Sequence, residues 1–272
     1  ISPAPQILPK LKRILVNPNS DLNDAVKLIK MDVALTGQVL KQANSAYFSR
    51  GVNVDSFEVA VQRFGIKRVQ QMVLIASAKS SLNRKLNHYN YSKTSLFEAS
   101  ICCAELMGGL ASQQKFMEQD AAYTLGLFHA VGKIIVDSYF SKKGIMFYEA
   151  DRQNVTLESE RKLLGFNHAE AGSSLLKKWN FSAGIIEPLK AQFSLPIDDD
   201  PHSLTALHLS FAAFAAKALA SPSFESEIVI NLYADAYPEL WSALAPNRDI
   251  VETSLEKARF ELMEHLLTSA RN

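Results

Sequence analysis

Apolar side chains recur every three or four residues along nearly the whole chain, which is the spacing of amphipathic helices. A clear case is the set Leu22, Val26 and Ile29, which Ser20 or Asp21 can cap. No segment shows a clear strand pattern, and no fixed-period repeat or low-complexity tract is present. The sequence therefore predicts an all-α protein.

Start and stop signals divide this pattern into helices. Short helices are expected at about 11–16, 22–29, 32–46, 57–64, 66–82, 141–152, 156–164 and 182–192. Long helices are expected at about 93–113, 118–140, 167–179 and 202–220, and two more at about 224–234 and 249–270. Because Asn83 to Ser92 is polar and irregular, it is the candidate boundary. The predicted parts are residues 1–85, residues 86–222 and a C-terminal extension, residues 223–272.

The composition is that of a globular protein with little net charge. The 272 residues are 47% hydrophobic and 21% charged, as in globular proteins, and a net charge of +1 gives no overall field for nucleic acid or an anionic membrane. The longest apolar stretch, 204–220, contains His208 and Lys217 and is too polar for a membrane span. Adjacent Cys102 and Cys103 indicate reduced thiols, so a cytoplasmic location is expected. No signal-peptide pattern is present, and the missing initiator Met fits a trimmed chain.

The sequence contains few candidates for catalytic or binding residues. There is no Gly-rich phosphate loop, no Cys/His set with zinc spacing and no Gly-x-Ser-x-Gly turn. Carboxylates are scattered along polar helix faces and are expected to be solvated. No catalytic residue is therefore assigned. The remaining candidates are the histidines, namely His88, His129, His168, His202, His208 and His265.

His129 is the most informative histidine, because it lies in an apolar segment between Gly126 and Gly132. A single histidine there is either a hydrogen-bonded core residue or a ligand. Lys133 falls one turn later on the same face, and this pair suits an anion better than a cation, unless Lys133 is a solvated neighbour. His168 lies in the first turn of its helix, where a capping role is the alternative to ligation.

Three residues of the N-terminal part are candidates for anion or partner contacts. Asn44 and Ser45 end a helix, where such residues commonly satisfy the last carbonyl groups, so a structural role competes with a ligand contact. Arg63 precedes Gly65 and is either part of a small anion-binding surface or a solvated helix end.

Several segments in order along residues 8–220 resemble the HDOD family, the HD-related output domain of bacterial signalling proteins. That family is a relative of the HD-type metal-dependent phosphohydrolases. The segments are Leu8-Pro9 with Ile14-Leu15, Met31 to Thr36, Ala43-Asn44-Ser45-Ala46-Tyr47-Phe48, Ala60 to Gly65 with Val69 and Leu74, Gly126-Leu127-Phe128-His129, and Leu164-Gly165 followed by His168 to Gly172 and Trp179. The resemblance implies an N-terminal bundle of short helices packed on an HD-like helical domain.

The resemblance also implies a degenerate metal site. Ala99 stands where HD hydrolases carry their first His, Ala130 where they carry the Asp of the His-Asp pair, and Phe211 near the closing Asp. Gln192-Phe193 replaces a frequent His-His pair. His129 and His168 remain as potential ligands, and His208 lies one turn from the lost Asp and could compensate. The vestigial pocket is expected to contain Ala99, His129, Ala130, His168, His208 and Phe211, with no metal or other cofactor.

The resulting hypothesis is a non-catalytic signal-transduction domain that binds a signalling protein or a covalently linked regulatory domain. The alternative is a divergent phosphohydrolase of the HD superfamily that acts on phosphate esters or nucleotides. A third possibility is a sensor of nucleotides or small anions. No membrane and no nucleic acid are expected as partners.

Overall fold

The computed structural model describes residues 33–44, 54–145, 156–196, 200–219 and 224–270. These residues form helices and loops without a strand; the one β-like pair is an isolated bridge between Leu86 and Tyr91. The all-α prediction is confirmed. The predicted helices at 11–16 and 22–29, and most of the one at 141–152, lie outside the described residues. Two compact units are present, Ile1–Ser81 with Met263–Asn272, and Leu82–Leu262.

The first unit contains helices α1 (Val33–Ala43), α2 (Phe57–Phe64) and α3 (Ile66–Leu82), of which Leu82 belongs to the second unit. Helix α2 begins and ends at the predicted residues. The Ser56 hydroxyl accepts the Val59 N–H at 3.2 Å and caps the helix. Gly65 ends it with a φ of +75°, which favours glycine. Helix α1 packs against α2.

The second unit is built around α4, the long helix that packs along α5 and α10. Twelve residues of α4 are buried, which matches its almost uninterrupted apolar sequence. A 3₁₀ turn at Asn87–Tyr89 precedes α4, and another at Ala245–Asn247 precedes the last helix. The helices are α4 (Ser95–Gln114), α5 (Gln119–Phe128), α6 (Gly132–Lys142), α7 (Leu157–Leu164), α8 (His168–Lys178), α9 (Ala183–Lys190), α10 (Ser203–Leu219), α11 (Ser226–Ala236), α12 (Pro238–Leu244) and α13 (Arg248–Ala270).

The single helix predicted at 118–140 is instead two helices, α5 and α6, separated by a turn at residues 129–131. The break lets α5 pack on α4 while α6 packs on α8. Both contacts are very close. An added Cβ on Gly126 would lie 2.5 Å from the carbonyl oxygen of Cys103, and one on Gly132 would lie 1.8 Å from that of His168. The two glycines therefore permit the two helix crossings.

The polar segment predicted as a domain boundary is a loop with buried anchors. Leu86, His88, Tyr89 and Tyr91 are all buried, and the loop belongs to the second unit, which begins at Leu82. His88 holds it in place. Its backbone N–H and Nδ1 lie 2.9 and 2.8 Å from the Asp137 carboxylate, and Nε2 lies 2.9 Å from the carbonyl oxygen of Ile145. Most of the other polar side chains of the loop are exposed.

The C-terminal extension continues the second unit as far as Leu262. Tyr233 on α11 is fully buried, and its ring centroid lies 5.1 Å from that of Phe211 and 5.3 Å from that of Phe214 on α10. Edge-to-face aromatic contacts of this kind fasten α11 to α10. No helix in the described part of the chain is long and apolar enough to cross a bilayer.

Gly132→Ala is expected to lower the free energy of unfolding by about 3 kcal/mol, because the new methyl group would overlap the His168 backbone. Gly184→Ala is the matched control, since a Cβ at Gly184 meets nothing within 4 Å. That variant should be unchanged or more stable by about 1 kcal/mol, because alanine favours helix. Urea unfolding followed by circular dichroism measures both; equal losses in the two variants would contradict the close crossing.

Candidate functional site

The most unusual group in the second unit is the carboxylate of Glu160, which is completely buried. The Tyr89 hydroxyl donates a hydrogen bond to Oε1 at 2.7 Å. The backbone N–H of His168 donates to Oε2 at 2.6 Å, and Nδ1 of the same residue lies 2.8 Å from Oε1. A buried carboxylate requires such donors, because without them its removal from water is very costly.

These contacts favour the ionised form of the Glu160 carboxylate. Burial alone raises the pKa of Glu160, but the hydrogen bonds and charge of His168 outweigh burial, so the pKa is lowered. Burial and the charge of Glu160 raise the pKa of Tyr89 well above its usual value, so this hydroxyl stays a donor. Because the folded-state pKa of Glu160 is depressed, its stabilising contribution is present at neutral pH and is lost as pH falls through that pKa.

Lys133 places a positive charge beside this cluster. Its Nζ lies 5.3 Å from the ring centroid of Tyr89 and 5.4 Å from that of Tyr91, in the range of cation–π contacts. Burial lowers the pKa of the ammonium group, and the charge of Glu160 opposes this shift. The lysine is in the first turn of α6, so its charge adds to the partial positive charge of that helix end.

Local sequence signals position the two central residues of the cluster. Thr156 opens a capping box that starts α7, and Asn167 opens another that starts α8. In the second box the Asn167 side chain accepts the Glu170 N–H at 3.0 Å, and the Glu170 carboxylate accepts the Asn167 N–H at 3.0 Å. The two helix starts bring Glu160 and His168 together across a short turn.

His129 lies in the turn between α5 and α6 and is buried. Its Nδ1 lies 2.8 Å from the carbonyl oxygen of Gly126. A carbonyl oxygen can only accept, so Nδ1 carries a hydrogen. His168 lies close by, because its carbonyl oxygen faces Gly132, three residues after His129.

The register of α5 on α4 places the two alanines of the expected pocket. The helices run antiparallel, and continuing their register by one turn brings Ala130 level with Ala99 near the start of α4. Ala99 is 4% exposed and Ala130 is fully buried. Ala99, His129, Ala130 and His168 are thus at one end of the unit. Two contacts define the register, Gly108 with Tyr123 and Gly126 with Ala104.

His208 is held at the other end of α4. Its Nδ1 lies 2.7 Å from the Leu204 carbonyl oxygen, its Nε2 lies 3.0 Å from the Gln114 side chain, and its ring stacks on Phe116 at 4.1 Å. Burial lowers its pKa to about 4, so the ring is neutral. Gln114 ends α4 about 22 Å along the axis from Ala99. The structure therefore does not bring His208 to His129, as compensation for the missing Asp would require.

Phe211 and Gln192, which stand at two further positions of the expected metal site, are both buried. Phe211 lies in the aromatic cluster with Tyr233 and Trp241, at centroid distances of 5.1 and 6.5 Å, so its ring serves the contact with the C-terminal extension. Gln192 is 2% exposed, and neither atom of its amide has a hydrogen-bond partner among the described residues. The next residue, Phe193, donates its N–H to the Ser210 hydroxyl at 2.6 Å.

The donor set around His129 does not fit a catalytic divalent ion. Such an ion takes three or more protein ligands and keeps a position open for water. Ala99 and Ala130 contribute methyl groups, so the imidazoles of His129 and His168 are two donors where three or more are needed. Over the ranges that the structure describes, no three His, Cys, Asp or Glu side chains are grouped to hold a metal ion.

The candidates of the N-terminal unit have different surroundings. The Asn44 side chain makes two hydrogen bonds to the backbone of Val54, accepting its N–H at 2.6 Å and donating to its carbonyl oxygen at 2.8 Å. This pair joins the end of α1 to the residues that precede α2. Ser45 lies outside the described residues. Arg63 is exposed, and its guanidinium lies 5.3 Å from the ring centroid of Phe64.

Sequence reasoning missed Glu160, Tyr89 and Tyr91. The expectation that carboxylates are solvated is wrong for Glu160, because tertiary donors from outside α7 surround it. Nothing in the polar sequence of α7 separates Glu160 from the exposed Glu158. The tyrosines gave a weak signal, since two aromatic residues in a supposedly exposed linker are unexpected.

Tyr89→Phe is expected to lower the free energy of unfolding by about 1 to 3 kcal/mol, because Glu160 stays buried and loses a donor. Tyr139→Phe is the control, since Tyr139 is 44% exposed, and its effect should stay within about 0.5 kcal/mol. Urea unfolding of both variants measures the difference. If Tyr89→Phe were as stable as the control, the hydroxyl would not support the carboxylate.

Comparisons with known proteins agree with this fold. The model of the HDOD domain family matches residues 1–194. An uncharacterised protein of Treponema pallidum (strain Nichols) is 27% identical over 195 residues, which cover 71% of this chain and 37% of that protein. The chain thus spans well under half the length of this relative.

Three solved structures share the architecture. A Shewanella amazonensis SB2B protein, provisionally named a phosphohydrolase, superposes with a TM-score of 0.65 and 20% identity over 95% of both chains. An HDOD domain protein of unknown function from Geobacter sulfurreducens gives 0.62 and 18% over 94% and 92% of the chains. A Marinobacter aquaeolei VT8 protein, provisionally named for signal transduction, gives 0.63 and 21% over 95% and 60%. These likenesses show the fold. Because the family model matches more than two thirds of this chain, the chain belongs to the HDOD domain family.

Proposed function

We propose that this chain is a non-catalytic regulatory domain of bacterial signal transduction, which acts by binding a partner protein or a small ligand. The observation that carries the proposal is the pair of buried methyl groups at Ala99 and Ala130. The resemblance to HD hydrolases assigns metal ligands to these two positions. A methyl group cannot bind a metal ion or orient a water molecule, so the proposal includes no metal and no other cofactor.

The proposed partner is a signalling protein or a regulatory domain on the same polypeptide. Lengths support the second form, because the match covers 37% of the Treponema pallidum relative and 60% of the Marinobacter aquaeolei structure. The signal-transduction name of the latter supports a regulatory context. A net charge of +1 argues against a nucleic-acid partner. A nucleotide or small anion remains the proposed ligand class, with Lys133 as its cationic contact.

One observation favours the alternative, a divergent metal-dependent phosphohydrolase. Metal-bound imidazoles usually donate their second ring nitrogen to a carboxylate or a backbone carbonyl, which fixes the ring. His129 and His168 both have Nδ1 in such a contact, at 2.8 Å from the Gly126 carbonyl oxygen and from Glu160. The name of the Shewanella amazonensis structure points the same way. The missing third ligand is the argument against it.

Metal content and turnover separate the two functions. The protein would be purified, its iron, manganese and zinc measured by mass spectrometry, and cyclic dinucleotides and p-nitrophenyl phosphate offered with each metal. We expect metal far below one equivalent and no turnover above that of His129→Ala. His202→Ala, at a half-buried histidine outside the site, is the matched control. Stoichiometric metal with turnover that is lost in His129→Ala and kept in the control would establish the phosphohydrolase instead.

A further inference from the structure

Helix α7 is held to the second unit in an unusual way. Of its eight residues, Glu160 alone is buried. Leu163, on the same helix, is 42% exposed. Most surface helices are held by an apolar stripe that faces the core. In α7 the fully buried side chain is a carboxylate, while Leu157 and Leu164 on the same face are only half-buried. Hydrogen bonds and charge therefore hold the most deeply buried side chain of the helix.

The other polar link of α7 is weaker. Arg161 forms an ion pair with Glu170 on α8 at 3.0 Å, but the two side chains are 57% and 28% exposed. Exposed pairs of this kind contribute little to stability. The Glu160 carboxylate is therefore the main anchor of the helix.

The groups that receive Glu160 all lie outside α7. The Tyr89 hydroxyl comes from the loop before α4, and the backbone N–H and Nδ1 of His168 come from the first residue of α8. Lys133 adds a positive charge from α6, held between the rings of Tyr89 and Tyr91. Side-chain and backbone donors that meet at one carboxylate, at a helix N-terminus and with a cation nearby, are the elements of an oxoanion site.

We infer that Tyr89, Lys133 and His168 form a binding site for an oxoanion such as a phosphate monoester, and that Glu160 occupies it as a tethered anion. A phosphate-bearing ligand that displaces Glu160 would free α7 from its anchor. The inference rests on the small-anion form of the proposed function and deepens it, because it assigns the anion to a site centred on Glu160 that shares Lys133 and His168 with the residues named there. It holds whether or not the chain hydrolyses phosphate esters.

Because Glu160 is attached to the same chain as its donors, a free ligand must bind tightly to displace it. A group attached to the same chain competes at an effective concentration in the millimolar range or above. Free inorganic phosphate should therefore displace Glu160 only at high concentration, whereas a ligand with further contacts could do so at low concentration. Phosphate carries more negative charge than a carboxylate and offers three acceptor oxygens to the same donors.

The first experiment removes the tethered anion. Glu160→Ala should melt at a lower temperature than the wild type, because its donors are left buried and unpaired. Formate or phosphate should then raise its melting temperature by about 3 to 6 °C relative to chloride at equal ionic strength, at an anion concentration about tenfold above its Kd. The wild type should show no such rise, since its site is filled.

Two variants control this result. Glu158→Ala removes an exposed carboxylate from the same helix and should behave as the wild type in all three salts. Glu160→Ala combined with Lys133→Met should lose most of the specific rise, because the cation is gone. If formate and phosphate raised the melting temperature of Glu160→Ala no more than that of the wild type, the inference would be overturned.

The second experiment keeps the native chain, so it does not depend on the folding of a variant. Hydrogen exchange of residues 157–164 would be compared in about 100 mM phosphate and in chloride at equal ionic strength. Faster exchange of α7 in phosphate, with α4 unchanged, supports displacement of Glu160. Identical exchange of α7 in both salts, up to the solubility limit of phosphate, would overturn the inference. Neither readout involves metal content or turnover, so the proposed function stands or fails separately.

Discussion

A carboxylate removed from water must receive hydrogen bonds, and in this protein that requirement ties together three parts of the second unit. Glu160 reaches from α7 to the Tyr89 hydroxyl in the loop before α4 and to the first residue of α8. Lys133 brings the start of α6 to the same cluster. If one of these parts moved, the others would be left with buried polar groups that lack partners, which costs far more than a lost surface contact. The cluster therefore couples elements that share little apolar surface with α7.

Near this cluster, two close helix crossings do not depend on metal binding. Gly126 and Gly132 allow α5 and α6 to approach α4 and α8 so closely that any side chain would collide with a backbone carbonyl group. These crossings need glycine and do not need ligands. Packing therefore explains both glycines that flank the turn after the Gly-Leu-Phe-His segment.

Local sequence signals predicted the helix starts and ends that depend only on neighbouring residues. The Ser56 cap, the Gly65 stop and the α8 start with Asn167 before it follow from side-chain hydrogen bonds and backbone preferences within a few residues. The break at 129–131 was missed, because the apolar period continues across it and the turn is imposed by two different packing partners. Glu160 was missed for a similar reason, since its donors come from residues 71 positions before and 8 positions after it.

The sequence by itself determined the all-α class, most helix boundaries and the family. Each of these depends on residue type, spacing or order along the chain. Tertiary structure alone decided that His208 lies at the far end of α4 and not beside His129. It also decided that one of two similar glutamates on a polar helix is buried among donors. Those outcomes depend on which helix faces approach each other, and no short-range pattern encodes that.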